Sequence, residues 1–249
     1  MGINIPSNHP RGKSLNIREL LVNGFRNGLV APEGLIAHGR GEAFDYLLGE
    51  RTTEVARVAA KAASSVLLLA NHPVISVNGN VAALCAKEVV ELSSITGAVI
   101  EVNLFYRTKE REIAIARQLK KNKAKMVLGI KKSQASTIPE LQSERRRVDS
   151  NGIYKADALL VPLEDGDRTE ALVNMDKTVI TIDLNPLSRT AKTAQITIVD
   201  NIIRAIPEMI IAAKHLKSKD KCILKKIVEE FDNELNLAES VKIIRDSKW

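Results

Sequence analysis

The sequence predicts an α/β fold built on a mostly parallel sheet of about six strands with helices on both faces. Three observations predict it. Short apolar, β-branched runs recur at residues 74–77, 99–104, 125–128, 158–161, 179–182 and 196–199. Most are separated by helix-periodic stretches, the alternation that parallel strands need for their crossovers. The first run, Pro73-Val74-Ile75-Ser76-Val77, passes through Asn78-Gly79-Asn80 directly into an Ala/Leu/Val-rich helical pattern, the opening of a doubly wound unit. The expected organisation is a Rossmann-like nucleotide-binding core over residues 73–212. A helical segment over 1–72 packs on that core and a helical extension over 213–249 follows it, in one structural domain.

Taken in order, residues 5–14 are polar and turn-rich and read as a loop or arm. A helix follows with Asn16 as N-cap and Glu19 three residues later; Ile17, Leu20, Leu21 and Phe25 share a face, and Asn27-Gly28 ends it. In His38-Gly39-Arg40-Gly41 the flanking glycines read as a pliable turn. Its guanidinium is either a bidentate phosphate ligand or a salt-bridging surface arginine. Residues 52–69 form an Ala-rich helix, apolar over most of its surface, and so deeply buried or part of a subunit interface. A helix from 81 to about 93 closes at Gly97, and residues 109–121 are amphipathic with Ile113, Ala116 and Leu119 inward. Residues 130–153 are irregular, basic around Arg145-Arg146-Arg147, and cross the sheet, with room for a short helix at Ile138-Pro139-Glu140-Leu141. Beyond the last strand come a helix over 201–215 containing Pro207, an amphipathic helix over 221–235, and a charged, weakly periodic tail to Trp249.

Composition narrows the function. With 45% hydrophobic and 27% charged residues in 249, the chain suits a globular protein with a sizeable core. No run of about 18 apolar residues and no basic-then-apolar leader occurs, so the expected place is the cytoplasm and no membrane is expected as a partner. Cys85 and Cys222 lie outside any CxxC pattern, and the four histidines lack metal-ligand spacing, which speaks against a disulfide framework or a zinc site. A net charge of +7 invites nucleic acid, but much of it sits in lysine-rich runs. Aromatic residues are only 3%, leaving few platforms for base stacking, so no nucleic-acid partner is expected. No G-x-G-x-x-G, P-loop or G-x-S-x-G motif is present.

What remains is a set of polar strand ends. In a parallel sheet the carboxyl ends of the strands line one crevice, and ligands bind there. Asn78-Gly79-Asn80 follows the first strand, where Gly79 permits close approach and a helix amino end favours an anion. Arg107 follows the second strand. Glu164-Asp165-Gly166-Asp167-Arg168 follows the fourth, suited to a hydroxylated ligand, to hydrated Mg²⁺, or simply to capping the next helix. Asp183-Leu184-Asn185 with Arg189-Thr190 follows the fifth, and Asp200-Asn201 the sixth. On these grounds Asn78, Gly79, Asn80, Arg107, Asp165 and Arg168 are the candidate substrate contacts. Together the strand ends point to a nucleotide site, as in a nucleotide-using transferase or kinase; the reading from a different class is a basic nucleic-acid-binding or regulatory module.

Several of these stretches also carry a resemblance. They are Ala37-His38-Gly39-Arg40-Gly41-Glu42-Ala43-Phe44-Asp45-Tyr46-Leu47, His72 through Asn80, Glu101-Val102-Asn103-Leu104-Phe105, Val161 through Arg168 and Ile182 through Thr190. Over about residues 5–210 the chain resembles the archaeal phosphopantothenate synthetase (4-phosphopantoate–β-alanine ligase) family. The resemblance implies ATP-dependent condensation of 4-phosphopantoate with β-alanine to 4′-phosphopantothenate, AMP and diphosphate, in coenzyme A biosynthesis. It also implies a homodimer, with ATP and Mg²⁺ as co-substrate and ion. The ATP contacts it implies are Arg18, Arg40, Asp183, Leu184, Asn185, Arg189, Thr190, Asn201 and Ile202. Arg40 is the candidate for neutralising phosphate charge, and His38 or a carboxylate within 164–167 for accepting the proton of the attacking amine.

Overall fold

The computed structural model describes residues 9, 11–131 and 134–246. Residues 5–8 and 10 of the expected N-terminal arm, 132–133 of the long connection and 247–249 of the tail lie outside the described residues. Three helices open the chain: α1 (Gly12–Arg26), α2 (Pro32–Leu47) and α3 (Glu54–Leu69). The alternating part runs β1 (Pro73–Val77), α4 (Gly79–Thr96), β2 (Val99–Val102), α5 (Lys109–Lys121), β3 (Ala135–Thr137) and β4 (Arg147–Asp149). It continues through β5 (Ala158–Leu160), α6 (Gly166–Val173), β6 (Thr178–Ile182), α7 (Arg189–Thr193) and β7 (Ile196–Ile198). Helices α8 (Ile202–Leu216), α9 (Lys221–Glu229) and α10 (Asn233–Asp246) close it.

The main sheet has five strands in the order β2-β1-β5-β6-β7, and every pairing is parallel. All five residues of β1 are buried, as a central strand covered on both faces requires. Its alternation divides the core. Ile75 and Val77 face α3, α4 and α8, together with Ile100, Leu160, Ile180 and Ile198. Val74 faces the other way, with Leu159, Val161 and Val179, onto Ile138, Leu141, Val148 and Ile153 of the long connection and onto Leu172 of α6. The irregular segment is therefore the cover of the second face. Its β3 and β4 pair antiparallel, and residues 138–141 form a turn rather than a short helix.

The expected strand at 125–128 is reduced to one bridge. Leu128 alone pairs, opposite Glu101, receiving the Val102 N–H at 3.0 Å and donating to Ile100 O at 2.9 Å. Lys123 and Gly129 both sit at positive φ, and Met126 is 55% exposed, so the chain turns in and out before a strand can extend. The position is where the third strand of a Rossmann order would lie, outside β2. That explains both why the sequence suggested six strands and why five form.

Three other expectations change. The first helix starts at Gly12, with no side-chain cap from Asn16. The Gly-Arg-Gly stretch lies inside helix α2, which Pro32 initiates and Gly49 and Glu50, both at positive φ, bring to an end. The tail is not loose: α10 follows a break after α9, capped by Asp232 accepting the Leu235 N–H. Asn233 and Asn236 then satisfy the N–H and C=O of Thr197 on edge strand β7, each at 2.9 Å, and blunt the edge. Helix α3 is buried as expected, but its cover is this chain's own α8, α9 and β7.

At the opposite edge Glu101 anchors the long connection. Its fully buried carboxylate accepts the N–H groups of Asp149 and Ile153 at 2.9 and 2.6 Å. Burial raises its pKa to about 7 against those hydrogen bonds. The unfolded chain ionises this group near 4.5, so stability declines as pH rises from there to about 7, by roughly 3 kcal/mol. Denaturant titrations from pH 4 to 8 should show that decline, and Glu101→Gln should flatten it, whatever its effect on stability at low pH.

Candidate functional site

The carboxyl ends of all five sheet strands open into one cavity of about 590 Å³, roofed by α2. This is the crevice that strand topology calls for, centred where the crossovers from β1 and β5 run in opposite directions. Asn78 laces that point together. Its Oδ1 caps α4 through the Val81 N–H at 3.1 Å, and its Nδ2 donates to Pro162 O and Leu163 O at 3.1 and 3.2 Å. Gly79 is required by close approach: a Cβ there would lie 2.2 Å from Leu29 O and 2.8 Å from Arg111 Nη2.

On the β6 side, Asp183 accepts the Asn185 N–H at 2.9 Å and the Ser188 hydroxyl at 2.5 Å. Ser188 in turn caps α7 through the Ala191 N–H. Burial raises the Asp183 pKa, opposed by the Ser188 and Asn185 hydrogen bonds and then by the charge of Arg40. Thr190 donates to Glu164 O at 3.1 Å, joining the β6 and β5 ends. Asn201 caps α8 and donates to Asp45 Oδ2 of α2 at 2.8 Å. Arg204 bridges Asp45 and Asp200, at 2.5 and 2.6 Å from their Oδ1 atoms.

The roof brings His38, Arg40, Gly41 and Phe44 over these strand ends. Arg40 forms no ion pair or hydrogen bond among the described residues, so its guanidinium is available to a ligand. His38 Nε2 is buried with no hydrogen-bond partner among the described residues. Burial lowers its pKa, with Glu42 and Asp45 pulling it up, so the imidazole is neutral at pH 7 and can accept a proton.

Of the residues singled out in the sequence, His38, Arg40, Asn78, Gly79, Asn80, Asp165, Asp183, Leu184, Asn185, Thr190, Asn201 and Ile202 line the cavity together. Four do not. Arg18 lies outside, with Glu42 and the Tyr46 hydroxyl 3.3 Å from its guanidinium. Arg107 is held by Glu112 at 2.7 Å and by Arg147 O at 2.9 Å. Arg168 is wholly buried beneath the floor, on Glu164 and Ser76. Arg189 points outward to Asp167. Two arginines that the sequence left unassigned, Arg111 and Arg145, line the cavity instead. In the sequence Arg145 showed only as part of a basic stretch and Arg111 only as part of an amphipathic helix. No group of three or more potential metal-ligating side chains occurs among the described residues.

Comparison with known proteins identifies the family. The model of the phosphopantothenate/pantothenate synthetase family matches residues 55–247. The chain belongs to that family. It is 56% identical to a 4-phosphopantoate--beta-alanine ligase of Thermococcus kodakarensis, over 98% of this chain and 93% of the relative. A protein of the same name from Methanosarcina mazei is 55% identical over 97% and 94%. The phosphopantothenate/pantothenate synthetase match starts inside α3, and the pairwise alignments extend it over most of the preceding α1 and α2. It also runs through α10, well past residue 210.

Two glycines separate packing from helix propensity. Gly79→Ala should destabilise the fold by about 1–3 kcal/mol, because its methyl meets backbone. Gly39→Ala, within α2 and with open space around its Cβ, should stabilise it by up to about 1 kcal/mol. Urea titrations of both variants check the opposite signs.

Proposed function

We propose that this protein is an ATP-dependent ligase that joins 4-phosphopantoate to β-alanine, giving 4′-phosphopantothenate, AMP and diphosphate for coenzyme A synthesis in the cytoplasm. The observation that carries the reading is 53–56% identity to four proteins named 4-phosphopantoate--beta-alanine ligase. The cavity supports it, being of small-molecule size and open to every strand end.

The chemistry sets the tasks. A carboxylate is a poor acyl donor, so its oxygen attacks the α-phosphorus of ATP and expels diphosphate. The amine of β-alanine then attacks the acyl carbon and expels AMP. In this reading the nucleotide lies under α2 against Asp183, Leu184, Asn185, Thr190, Asn201 and Ile202. Arg40 offsets the charge that builds on the phosphates. Arg18 and Arg189 reach the nucleotide by exchanging their carboxylate partners, half-buried Glu42 and exposed Asp167, for phosphate, at small cost for the exposed pair. Mg²⁺ bound with the nucleotide would offset phosphate charge, and Asp165, a carboxylate lining the cavity, would help to hold it. The amine, with a solution pKa of about 10, must be neutral to attack, and His38 Nε2 is the acceptor for its proton. The working unit is a homodimer, with exposed Leu20, Phe25 and Ile36 of α1 and α2 as candidate contact residues.

Turnover with 4-phosphopantoate, β-alanine and ATP should require all three and yield AMP and diphosphate by phosphorus NMR. ADP as the sole nucleotide product overturns the reading in favour of a kinase. Arg40→Ala should lower turnover by about 100- to 1,000-fold with an unchanged circular dichroism spectrum.

His38→Gln should slow amide formation by about 100-fold or more. It should leave 4-phosphopantoate-dependent exchange of diphosphate into ATP intact, because the proton is taken after adenylation. Equal loss of both activities removes His38 as the base.

A further inference from the structure

Among the described residues, four other than glycine sit at positive φ: Glu50, Lys123, Leu163 and Asp176. Three of them are exposed and polar, and each turns the chain just past a helix, where the left-handed conformation is a common stop. Leu163 is the exception. It follows strand β5, its φ is 55°, and its apolar side chain is crowded by the backbone there as glycine would not be. Neighbouring strand ends impose the conformation. The Leu163 N–H donates to Ile182 O at 3.1 Å, and its C=O receives Asn78 Nδ2 at 3.2 Å. Outliers held in this way have a steric cost and cluster at sites where the residue is used.

The position of the side chain shows what that use is. Ile75 pairs with Leu160 and Leu160 with Ile180; three residues further along, the same register brings Asn78, Leu163 and Asp183 side by side on the rim. There β1 and β6 present polar side chains, while β5, the middle strand of the five, presents an isobutyl group. Part of Leu163 packs on the core cluster that includes Val77 and Leu160, and the rest lines the cavity. Around it stand the carboxylates of Glu164, Asp165 and Asp183 and the amide of Asn78. Groups of that kind gather water, and an apolar side chain set among them takes up the space that water would fill.

We propose that Leu163 keeps water from the acyl-adenylate, so that the amine of β-alanine and not solvent resolves it. The inference rests on the ligase reading and deepens it. In that reading the nucleotide lies on the Asp183 side, so the bond between the carboxylate oxygen and the α-phosphorus forms over the middle of the rim, at Leu163. The resulting mixed anhydride is as open to water as to an amine. If the oxygen of water bonds to the acyl carbon, the bond from that carbon to the phosphate oxygen breaks and leaves its electron pair on AMP. Both protons of the water pass to solvent. The acid is then returned unchanged, and one ATP has become AMP and diphosphate without a product. A leucine side chain cannot donate, accept or take up a proton, and what it brings to this position is exclusion of water. Glycine there would relieve the backbone and open the space.

The test measures AMP and 4′-phosphopantothenate formed from 4-phosphopantoate, β-alanine and ATP by wild type, Leu163→Gly and Leu163→Met. Wild type should form the two in a ratio close to unity. Leu163→Gly should raise the ratio of AMP to product by about threefold or more. With β-alanine left out, it should release AMP continuously, where wild type stops after about a single turnover. Leu163→Met restores an apolar side chain of similar volume and should return the ratio to near that of wild type. A side chain with only a packing role would lower AMP and product together and leave the ratio unchanged, which overturns the proposal. So does a Leu163→Met enzyme as uncoupled as Leu163→Gly. Should Leu163→Gly form no AMP, Leu163→Ala is read in the same way; loss of AMP from both also overturns the proposal, since the side chain is then needed before the adenylate exists. A wild type that forms no AMP from all three substrates fails the ligase reading itself. An active wild type whose Leu163→Gly variant stays coupled fails only the role given to Leu163.

Discussion

The carboxylate of Glu164 is the constraint on which the rest of the site depends. Its side chain is buried just beyond β5, and burial pushes its pKa upward while Arg145 and Arg168 pull it down. An isolated carboxylate there would cost several kcal/mol, so the ion persists only because two guanidiniums reach it. Each comes from a different part of the chain. Arg168 belongs to α6 and extends to Ser76 of β1 beneath the floor. Arg145 belongs to the connection that covers the second face of the sheet. One charge therefore ties β1, β5, α6 and the connection at the switch point. It also fixes how far Arg145 projects into the cavity. Replacing the cluster by apolar side chains could match its stability, but would lose the orientation.

Local chemistry made much of this legible. The strands at 74–77, 158–161, 179–182 and 196–199 were visible because both faces of a parallel sheet are buried, which leaves uninterrupted apolar runs. Asn78, Asp165, Ser188 and Asn201 all cap the helices that follow their strands, so a helix-start signal doubled as a site signal. The failures are tertiary. Residues 125–128 have a strand's composition, and only the turns at Lys123 and Gly129 prevent pairing. Gly34, Gly39 and Gly41 disfavour helix locally, yet α2 forms because its ends are held from outside. Nothing in the sequence distinguishes Arg107 from Arg111. The difference is that Glu112, five residues on in the first turn of α5, captures the first, while the second finds only carbonyl oxygens.

Helix α2 shows why the roof is built from polar contacts. Asp45 is its only buried residue, so apolar burial contributes little to its position. It is held near both ends instead. At the start, Asn80 Nδ2 donates to Gly34 O at 2.8 Å, and Gly34 must lack a side chain because a Cβ would lie 2.5 Å from the Asn80 amide oxygen. Near the other end Asp45 takes Asn201 and Arg204. Both amides sit where a helix starts after a sheet strand, so the roof is registered against the walls it covers. Arg40 falls between the two fastenings, about 9 Å along the axis from Gly34 at the usual rise per residue. A greasy interface would let such a helix slide, whereas hydrogen bonds tolerate only a few tenths of an ångström. Those bonds are also individually modest, each worth about 1 kcal/mol net, more where charge is involved. Seated by these bonds, the roof holds Arg40 in register with the strand ends beneath it.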